Sequence, residues 1–324
     1  MQRGGYNGSL AAANVGEWGY TLNLKEACLS GQQWRGKGSL EAVTTMTLPE
    51  AAQPFTFEGN ATGVLLVHGW LGLPGELRPL GAYLARQGYT VAAPLLAGHG
   101  GHPEALHSVS WQAWYASVAT AYQALAVRCG QVVVLGYSLG GLLALELAGQ
   151  QPVAGIITLA GALVLAGGWP LRALVWGRFV LPWLYPMHKA NFADPQLRAE
   201  LSSKLGPVDF DDPAVVANLR TTLRISTRSI YEVIRLGQHV RRALPRVTAP
   251  ALIMQGRRDT TVLPESADQL YRLLGSREKQ IAWFERSGHL LPNDIEREQV
   301  WQQIAQWIAH HTEPTMSAQT APPE

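Results

Sequence analysis

Short runs of apolar residues alternate along this chain with longer segments in which apolar residues recur every three or four positions. The short runs are rich in Val, Ile and Leu, which is typical of strands buried on both faces of a parallel sheet. The longer segments have the spacing of helices with one buried face. The pattern therefore predicts an α/β fold in which helices flank a mostly parallel central sheet. The predicted strands are 55–58, 64–67, 90–93, 131–135, 155–159, 251–256 and 280–284.

One predicted helix begins after Ser110 and carries a stripe of large side chains on one face. Such a stripe can pack in a core or stack on a ligand, and we favour core packing. Further helices are predicted over 76–87, 141–148 and 265–274, and over a last periodic segment around 300–308. The stripe consists of Trp111, Trp114, Tyr115, Val118, Tyr122 and Leu125.

The alternation stops for about ninety residues between the strand that ends near Ala160 and the strand that begins at Ala251, and a connection of this length must have structure of its own. It has helical patterns and no strand pattern. We therefore predict a helical cap over 163–245, inserted into a core made of 46–162 and 246–312. The helical segments of the cap are 171–185, 213–225 and 227–244.

The segment Gly136-Tyr137-Ser138-Leu139-Gly140 stands between a predicted strand and a predicted helix. A serine in such a turn takes strained backbone angles, and its neighbours must be small. The alternative is an ordinary glycine turn in which Ser138 caps the helix. The flanking elements favour the first interpretation, so Ser138 is the candidate nucleophile.

A serine nucleophile needs a base, and the base needs an acid that orients it. Asp259 and His289 follow two successive predicted strands, where this chemistry requires them. Asp259 has an alternative role as a loop residue paired with Arg257 or Arg258. We favour His289 as the base over four histidines that precede Ser138 in the chain. These are His68, His99, His102 and His107.

The strand 64–67 ends in a glycine-containing loop that holds Trp70. We predict that the backbone N–H groups of Trp70 and Leu139 stabilise the negative charge that develops during attack on a carbonyl group. Leu139 opens the helix after the nucleophile, where unsatisfied N–H groups favour an anion. The side chain of His68 is predicted to hydrogen-bond this loop rather than to transfer protons.

Taken together, these segments resemble the α/β-hydrolase superfamily, and more narrowly the small bacterial carboxylesterases and monoacylglycerol lipases. The resemblance covers about residues 53–310. It rests on His-Gly-Trp-Leu-Gly at 68–72, Gly-His-Gly at 98–100, Gly-Tyr-Ser-Leu-Gly-Gly at 136–141 and Ser-Gly-His at 287–289.

The resemblance implies an α/β-hydrolase fold with Ser138, Asp259 and His289 as the catalytic set. It also implies that Trp70 and Leu139 supply the oxyanion hole. Trp70 stands where the family commonly has phenylalanine, so the resemblance does not carry over an acyl preference.

The expected function is that of a serine hydrolase cleaving short- to medium-chain carboxylic esters or monoacylglycerols through an acyl-enzyme on Ser138. Thioesterases, C–C hydrolases and perhydrolases share such a triad, and a non-catalytic hydrolase-fold binding module is the alternative from another class. Epoxide and haloalkane hydrolases of the fold use Asp as nucleophile, so Ser138 argues against them. The chemistry needs no cofactor. No metal site is predicted, because the histidines of 98–104 lack further ligands at suitable spacing.

The first part of the predicted cap is rich in Trp, Phe and Tyr. These side chains can form the small core of the cap, or an apolar acyl pocket whose entrance contacts lipid aggregates. Trp176 and Phe179 are the predicted substrate-binding residues.

Composition limits the possible partners and location. The chain has 47% hydrophobic residues, which is enough for one large core. Its net charge is +2 and its basic residues are scattered, which does not suggest a nucleic-acid partner.

Only Cys28 and Cys129 are present, which is compatible with a reducing cytoplasm. Arg and Pro residues interrupt the apolar stretch 162–183, so no membrane span is predicted. We expect 1–45 and 313–324 to be a disordered extension and tail.

Overall fold

The computed structural model describes residues 50–101, 103–168, 176–195, 197–198, 201–202 and 208–312. The predicted extension over 1–45 and the predicted tail over 313–324 lie outside these ranges, as does His102.

The core of the molecule is a seven-stranded sheet in the order β1-β3-β2-β4-β5-β8-β9. β1 is antiparallel to β3, and every other pair in this sheet is parallel, as the alternating pattern predicts. The strands are β1 (Phe55–Phe57), β2 (Thr62–Val67), β3 (Thr90–Ala93), β4 (Gln131–Tyr137), β5 (Gly155–Leu159), β6 (Trp183–Leu184), β7 (Ile225–Ser226), β8 (Ala251–Gly256) and β9 (Lys279–Phe284), of which β6 and β7 form a separate pair.

Helices cover both faces of the sheet. They are α1 (Arg78–Arg86), α2 (Pro103–Ser108), α3 (Trp111–Ala126), α4 (Leu139–Ala148), α5 (Pro213–Thr222), α6 (Thr227–Ala243), α7 (Glu265–Leu273) and α8 (Arg297–Thr312). Short 3-10 turns accompany them at Glu50–Ala52, Pro74–Leu77, Gly177–Phe179, Pro186–Lys189, Leu244–Arg246 and Leu291–Asn293.

The central strands are buried on both faces because each face packs against its own apolar cluster. One cluster joins the sheet to α3, α4, α6 and α7, and the other joins it to α1 and α8. The aromatic stripe of α3 belongs to the first cluster, with Trp114 fully buried. The predicted core role of this stripe is therefore confirmed.

The connection between β5 and β8 contains α5 and α6, close to two of the predicted cap helices. The expectation that it contains no strand is wrong, because β6 and β7 form an antiparallel pair. Helix cannot continue through 181–185, because Pro182 has no N–H to donate and disfavours helical angles at the residue before it. The Pro182 carbonyl instead accepts a hydrogen bond from Thr227 N–H at 3.1 Å.

Polar side chains join the cap to the core beneath it. Glu232 on α6 is buried and accepts a hydrogen bond from the Trp111 N–H at 3.2 Å. His239, also on α6, bonds through Nε2 to Oε1 of the buried Glu146 at 3.0 Å. Because Glu146 lies on α4, the cap rests on the helix that follows Ser138.

The outer part of the cap has its own small apolar cluster, separate from the clusters on the sheet. Its buried members are Phe192, Leu201, Phe210 and Leu219. Within the ranges that the structure describes, no helix combines the length and apolar character needed to cross a bilayer.

Candidate active site

Ser138 occupies a strained turn between β4 and α4. Its backbone angles are φ 54° and ψ −114°, in a region that non-glycine residues rarely adopt. The turn is tight enough that a Cβ at Gly136 would lie 2.0 Å from the Gly140 carbonyl oxygen. A Cβ at Gly140 would lie 2.1 Å from the Val67 carbonyl oxygen. Both glycines are therefore required, and Ser138 is not an ordinary helix cap, since its side chain makes no capping hydrogen bond.

Asp259 and His289 are hydrogen-bonded to each other. The distance from His289 Nδ1 to Asp259 Oδ2 is 2.9 Å, and the Asp259 side chain is fully buried. Because a carboxylate only accepts, Nδ1 carries a proton, so that in the neutral ring the lone pair is on Nε2. The imidazole is thus held in the tautomer that a general base requires.

The Asp259 carboxylate is fixed by three further donors. Oδ1 accepts hydrogen bonds from the N–H groups of Thr261 and Val262, each at 2.9 Å. Oδ2 accepts from Gln255 Nε2 at 3.0 Å, beside its bond to the histidine. These contacts stabilise the ionised carboxylate and hold its orientation toward His289.

Two carboxylates anchor the loop that carries His289. Glu296 Oε2 accepts hydrogen bonds from Ser287 Oγ at 2.7 Å and from the Arg286 N–H at 3.0 Å. Asp294 Oδ2 accepts from the Gly288 N–H at 2.7 Å. Burial alone would raise the pKa of Glu296, but the hydrogen bonds from Ser287 and Arg286 outweigh it and lower the pKa below its ordinary value.

Ser138 and His289 both lie beyond the carboxyl ends of parallel strands of the sheet, and both are partly exposed. The ring of His289 lies 5.3 Å from that of Tyr137, the residue before Ser138. Among the hydrogen bonds of the described residues, none joins Ser138 Oγ to His289. Contacts of this kind commonly tighten when substrate binds.

The loop after β2 lies directly against Ser138. A Cβ at Gly69 would lie 3.3 Å from Ser138 Cβ, so the loop backbone passes close to the serine. Leu71 has a φ of 58°, a strained value for a non-glycine residue. Neither the Trp70 N–H nor the Leu139 N–H donates a hydrogen bond to any other described residue. Both predicted oxyanion donors are therefore available.

His68 hydrogen-bonds this loop, as predicted. Its Nε2 accepts from the Leu96 N–H at 3.1 Å, and its Nδ1 donates to the Gly69 carbonyl at 2.9 Å. Burial and the nearby His99 ring lower the pKa of His68 to about 3, and burial lowers the pKa of His99 to about 4. Both rings therefore stay neutral at ordinary pH, and the ring nitrogens of His68 are both engaged.

The alternative role for Asp259, an ion pair with a neighbouring arginine, is wrong. Arg257 bonds to Glu285 at 3.4 Å and lies over the Trp283 ring. His107 is engaged elsewhere, since its Nδ1 bonds to Ser226 Oγ of the cap at 2.8 Å.

Trp176 and Phe179 lie on the surface of the cap, 83% and 82% exposed. The Arg178 guanidinium lies over the rings of Phe179 and Tyr231, at 4.3 Å and 4.2 Å from their centroids. Neither Trp176 nor Phe179 belongs to the small apolar cluster of the cap. Contact between these side chains and substrate stays a prediction.

Three positioning residues were not predicted from the sequence. Gln255 lies four residues before Asp259 on β8, and its polar side chain inside an apolar strand is the signal that points to it. Asp294 and Glu296 follow His289 at short spacing in a loop rich in charge, where no local pattern marks them.

Comparison with known proteins identifies the family. The model of the family described as serine aminopeptidase, S33 matches residues 60–296. The chain belongs to this family. This hydrolase is also 31% identical over 261 residues to a thermostable monoacylglycerol lipase from Bacillus sp. (strain H-257), covering 80% of this chain and 95% of that protein. It is 28% identical over 257 residues to a carboxylesterase from Bacillus subtilis (strain 168), covering 79% and 96%.

Solved structures agree with this assignment. A structure reported with LipS and LipT, two metagenome-derived lipolytic enzymes, matches with a TM-score of 0.68 and 30% identity, covering 82% of this chain and 100% of that one. The α/β-hydrolase fold implied by the sequence is confirmed.

Proposed function

We propose that this hydrolase cleaves carboxylic esters of short- to medium-chain or monoacylglycerol type through an acyl-enzyme on Ser138. The observation that carries the proposal is the buried hydrogen bond from His289 to Asp259, at the sheet edge where Ser138 holds its strained turn. The names of the two Bacillus relatives, which align over nearly their whole length, support ester substrates.

In the proposed mechanism, His289 Nε2 takes the proton of Ser138 Oγ as the oxygen attacks the ester carbonyl carbon. The carbonyl π electrons move to oxygen, and the N–H groups of Trp70 and Leu139 donate to the resulting oxyanion. Each such donor is worth about 3 kcal/mol of transition-state stabilisation. Asp259 stabilises the imidazolium formed in this step.

Collapse of the tetrahedral intermediate expels the alcohol, which receives its proton from His289. Water then attacks the acyl-enzyme by the same route, with His289 as base, and the carboxylic acid leaves as Ser138 Oγ is protonated again. Every proton moves between Ser138, His289, water and substrate, so the cycle needs no cofactor.

The exposed apolar surface of Trp176, Phe179 and Val180 supports a second element of the proposal, contact between the cap and aggregated lipid. Tyr185 and Leu181 extend this surface, at 45% and 54% exposure. Apolar side chains that are this exposed to water are stabilised when they enter a lipid interface.

The deciding experiment is a rate series on p-nitrophenyl esters from acetyl to palmitoyl, with a monoacylglycerol, an acyl-CoA and an aminoacyl p-nitroanilide measured in parallel. We expect kcat/KM to be highest among the oxygen esters, and Ser138→Ala to abolish turnover of all of them. A preference for the acyl-CoA would establish a thioesterase, and a preference for the anilide an aminopeptidase. Failure to turn over any substrate or to react with a fluorophosphonate probe would indicate a non-catalytic binding module.

A further inference from the structure

The end of α8 and the residue before β9 bring two histidines and a glutamate together, at the opposite end of β9 from the loop that carries His289. His311 is the most buried of the three. Its ring stacks on Trp307, with centroids 3.9 Å apart and planes at 24°, and its side chain is only 8% exposed. Its Nδ1 lies 2.7 Å from the Trp307 carbonyl oxygen. Because a carbonyl only accepts, Nδ1 must carry a proton.

This hydrogen bond determines what His311 Nε2 offers. In the neutral ring Nε2 has a lone pair and no proton. The atom it faces is Glu278 Oε1, 3.0 Å away, and an ionised carboxylate oxygen likewise has lone pairs and no proton. Two such atoms at this distance need a positive centre, which is either a second proton on the ring or a metal ion.

The 3.0 Å between His311 Nε2 and Glu278 Oε1 is close to the spacing of two ligand atoms on a zinc ion. Zinc binds imidazole nitrogen and carboxylate oxygen at about 2.0–2.2 Å, so tetrahedral geometry places two such ligand atoms about 3.3 Å apart. A ring N–H that donates to a backbone carbonyl is also the usual support for a metal-binding histidine, because it fixes the tautomer and orientation.

His310 supplies the third group. Its ring is exposed and lies 5.0 Å from that of His311, nearly perpendicular to it. One ligand atom each from Glu278, His310 and His311 lie within 4.8 Å of one another. The Glu278 backbone is held in place as well, because its carbonyl accepts hydrogen bonds from the Ala251 N–H at 2.9 Å and from Ser276 Oγ at 2.8 Å.

We propose that Glu278, His310 and His311 bind a zinc ion, with His311 Nε2, a Glu278 carboxylate oxygen and a His310 ring nitrogen as ligands and water completing the tetrahedron. Two imidazoles with one carboxylate suit a borderline divalent metal rather than Mg²⁺ or Ca²⁺. The ion would link the end of α8 to the edge of the sheet. Its role is therefore structural, and it is independent of the esterase chemistry.

The test measures zinc binding and thermal stability of the untagged chain after treatment with EDTA and removal of the chelator. We expect one equivalent of ZnCl2 to bind by calorimetry and to raise the Tm, because the ion binds only the folded arrangement. His310→Ala and Glu278→Gln alter exposed side chains, and each should weaken zinc binding by about tenfold or more. His311→Ala should abolish binding but also loses the contact with Trp307, so the two exposed variants carry the test.

Four controls locate the site. His188→Ala, which removes an exposed histidine elsewhere, should bind zinc as the unmodified chain does, and so should His289→Ala. Substitution by Co²⁺ should give the visible absorption of a tetrahedral complex, lost in His310→Ala. Turnover of a soluble ester by Glu278→Gln should be unchanged. The proposal is overturned if zinc leaves the Tm unchanged, which would identify a simple ion pair, or if His310→Ala and Glu278→Gln bind zinc as tightly as the unmodified chain.

Discussion

The strained backbone of Ser138 allows a quantitative prediction about how a glycine at this position would change the free energy of unfolding. Glycine adopts positive φ without the clash of a Cβ, so Ser138→Gly should release the strain of the turn, which is worth about 1–3 kcal/mol for such angles. Glycine loses more backbone entropy on folding, which costs roughly 0.5–1 kcal/mol. The net expectation is a gain of up to about 2.5 kcal/mol in the free energy of unfolding.

The matched control is Ser138→Ala, which also removes the nucleophile but keeps the Cβ and therefore the strain. Both variants should be inactive, so their difference in stability isolates the backbone effect. Urea unfolding should give a higher midpoint for the glycine variant, and its Tm should be higher by about 2–4 °C per kcal/mol gained. If the glycine variant is no more stable than the alanine variant, the positive φ of Ser138 stores no free energy, and the reasoning from strain is refuted.

Three further predictions concern the base, its loop and the cap. His289→Ala should lose nearly all activity, because it removes the proposed base for the serine proton; a variant that keeps a substantial part of the rate would contradict this role. Glu296→Gln should lower kcat more than KM. It should also reduce stability at pH values above the ordinary glutamate pKa of 4.5, because a carboxylate whose pKa is lowered by folding stabilises the folded state there; this stabilisation is lost as the pH falls through the pKa of the folded state. A dependence of stability on pH that is parallel to that of the parent at all pH values would refute this prediction. Trp176→Ala and Phe179→Ala should weaken binding to lipid vesicles and lower rates on long-chain esters, while acetyl ester rates stay unchanged; equal losses on both substrates would indicate a general packing role.

The sheet and the spatial pairing of Asp259 with His289 were predictable from sequence because their signals are local. Each buried strand is a continuous apolar run; Ser138 directly follows one such strand, and Asp259 and His289 stand in the loops just after two others. The periodic stripe around Trp114 was equally informative, because burial of one helix face leaves a regular trace.

The cap was harder to predict for a physical reason. Two-residue strands such as Trp183–Leu184 are too short to show an alternating pattern, and their pairing with Ile225–Ser226 joins residues far apart in sequence. The exposure of Trp176 likewise depends on what packs beside it, which sequence does not reveal. The polar side chain of Gln255 inside an apolar strand marks it in the sequence, but its hydrogen bond to Asp259 shows only once both are placed in space.

The place where the cap enters the sheet has an evolutionary consequence. β5 and β8 are paired neighbours in the sheet, so the whole cap is an insertion between two strands that are hydrogen-bonded to each other. Closing a loop of about ninety residues instead of about six costs only roughly 2 kcal/mol of entropy. Ancestral lineages could therefore exchange one cap for another without rebuilding the catalytic platform. A new cap would lie above the buried Glu146 carboxylate, which accepts a hydrogen bond from Gln150 of the core and at present also contacts His239 of the cap.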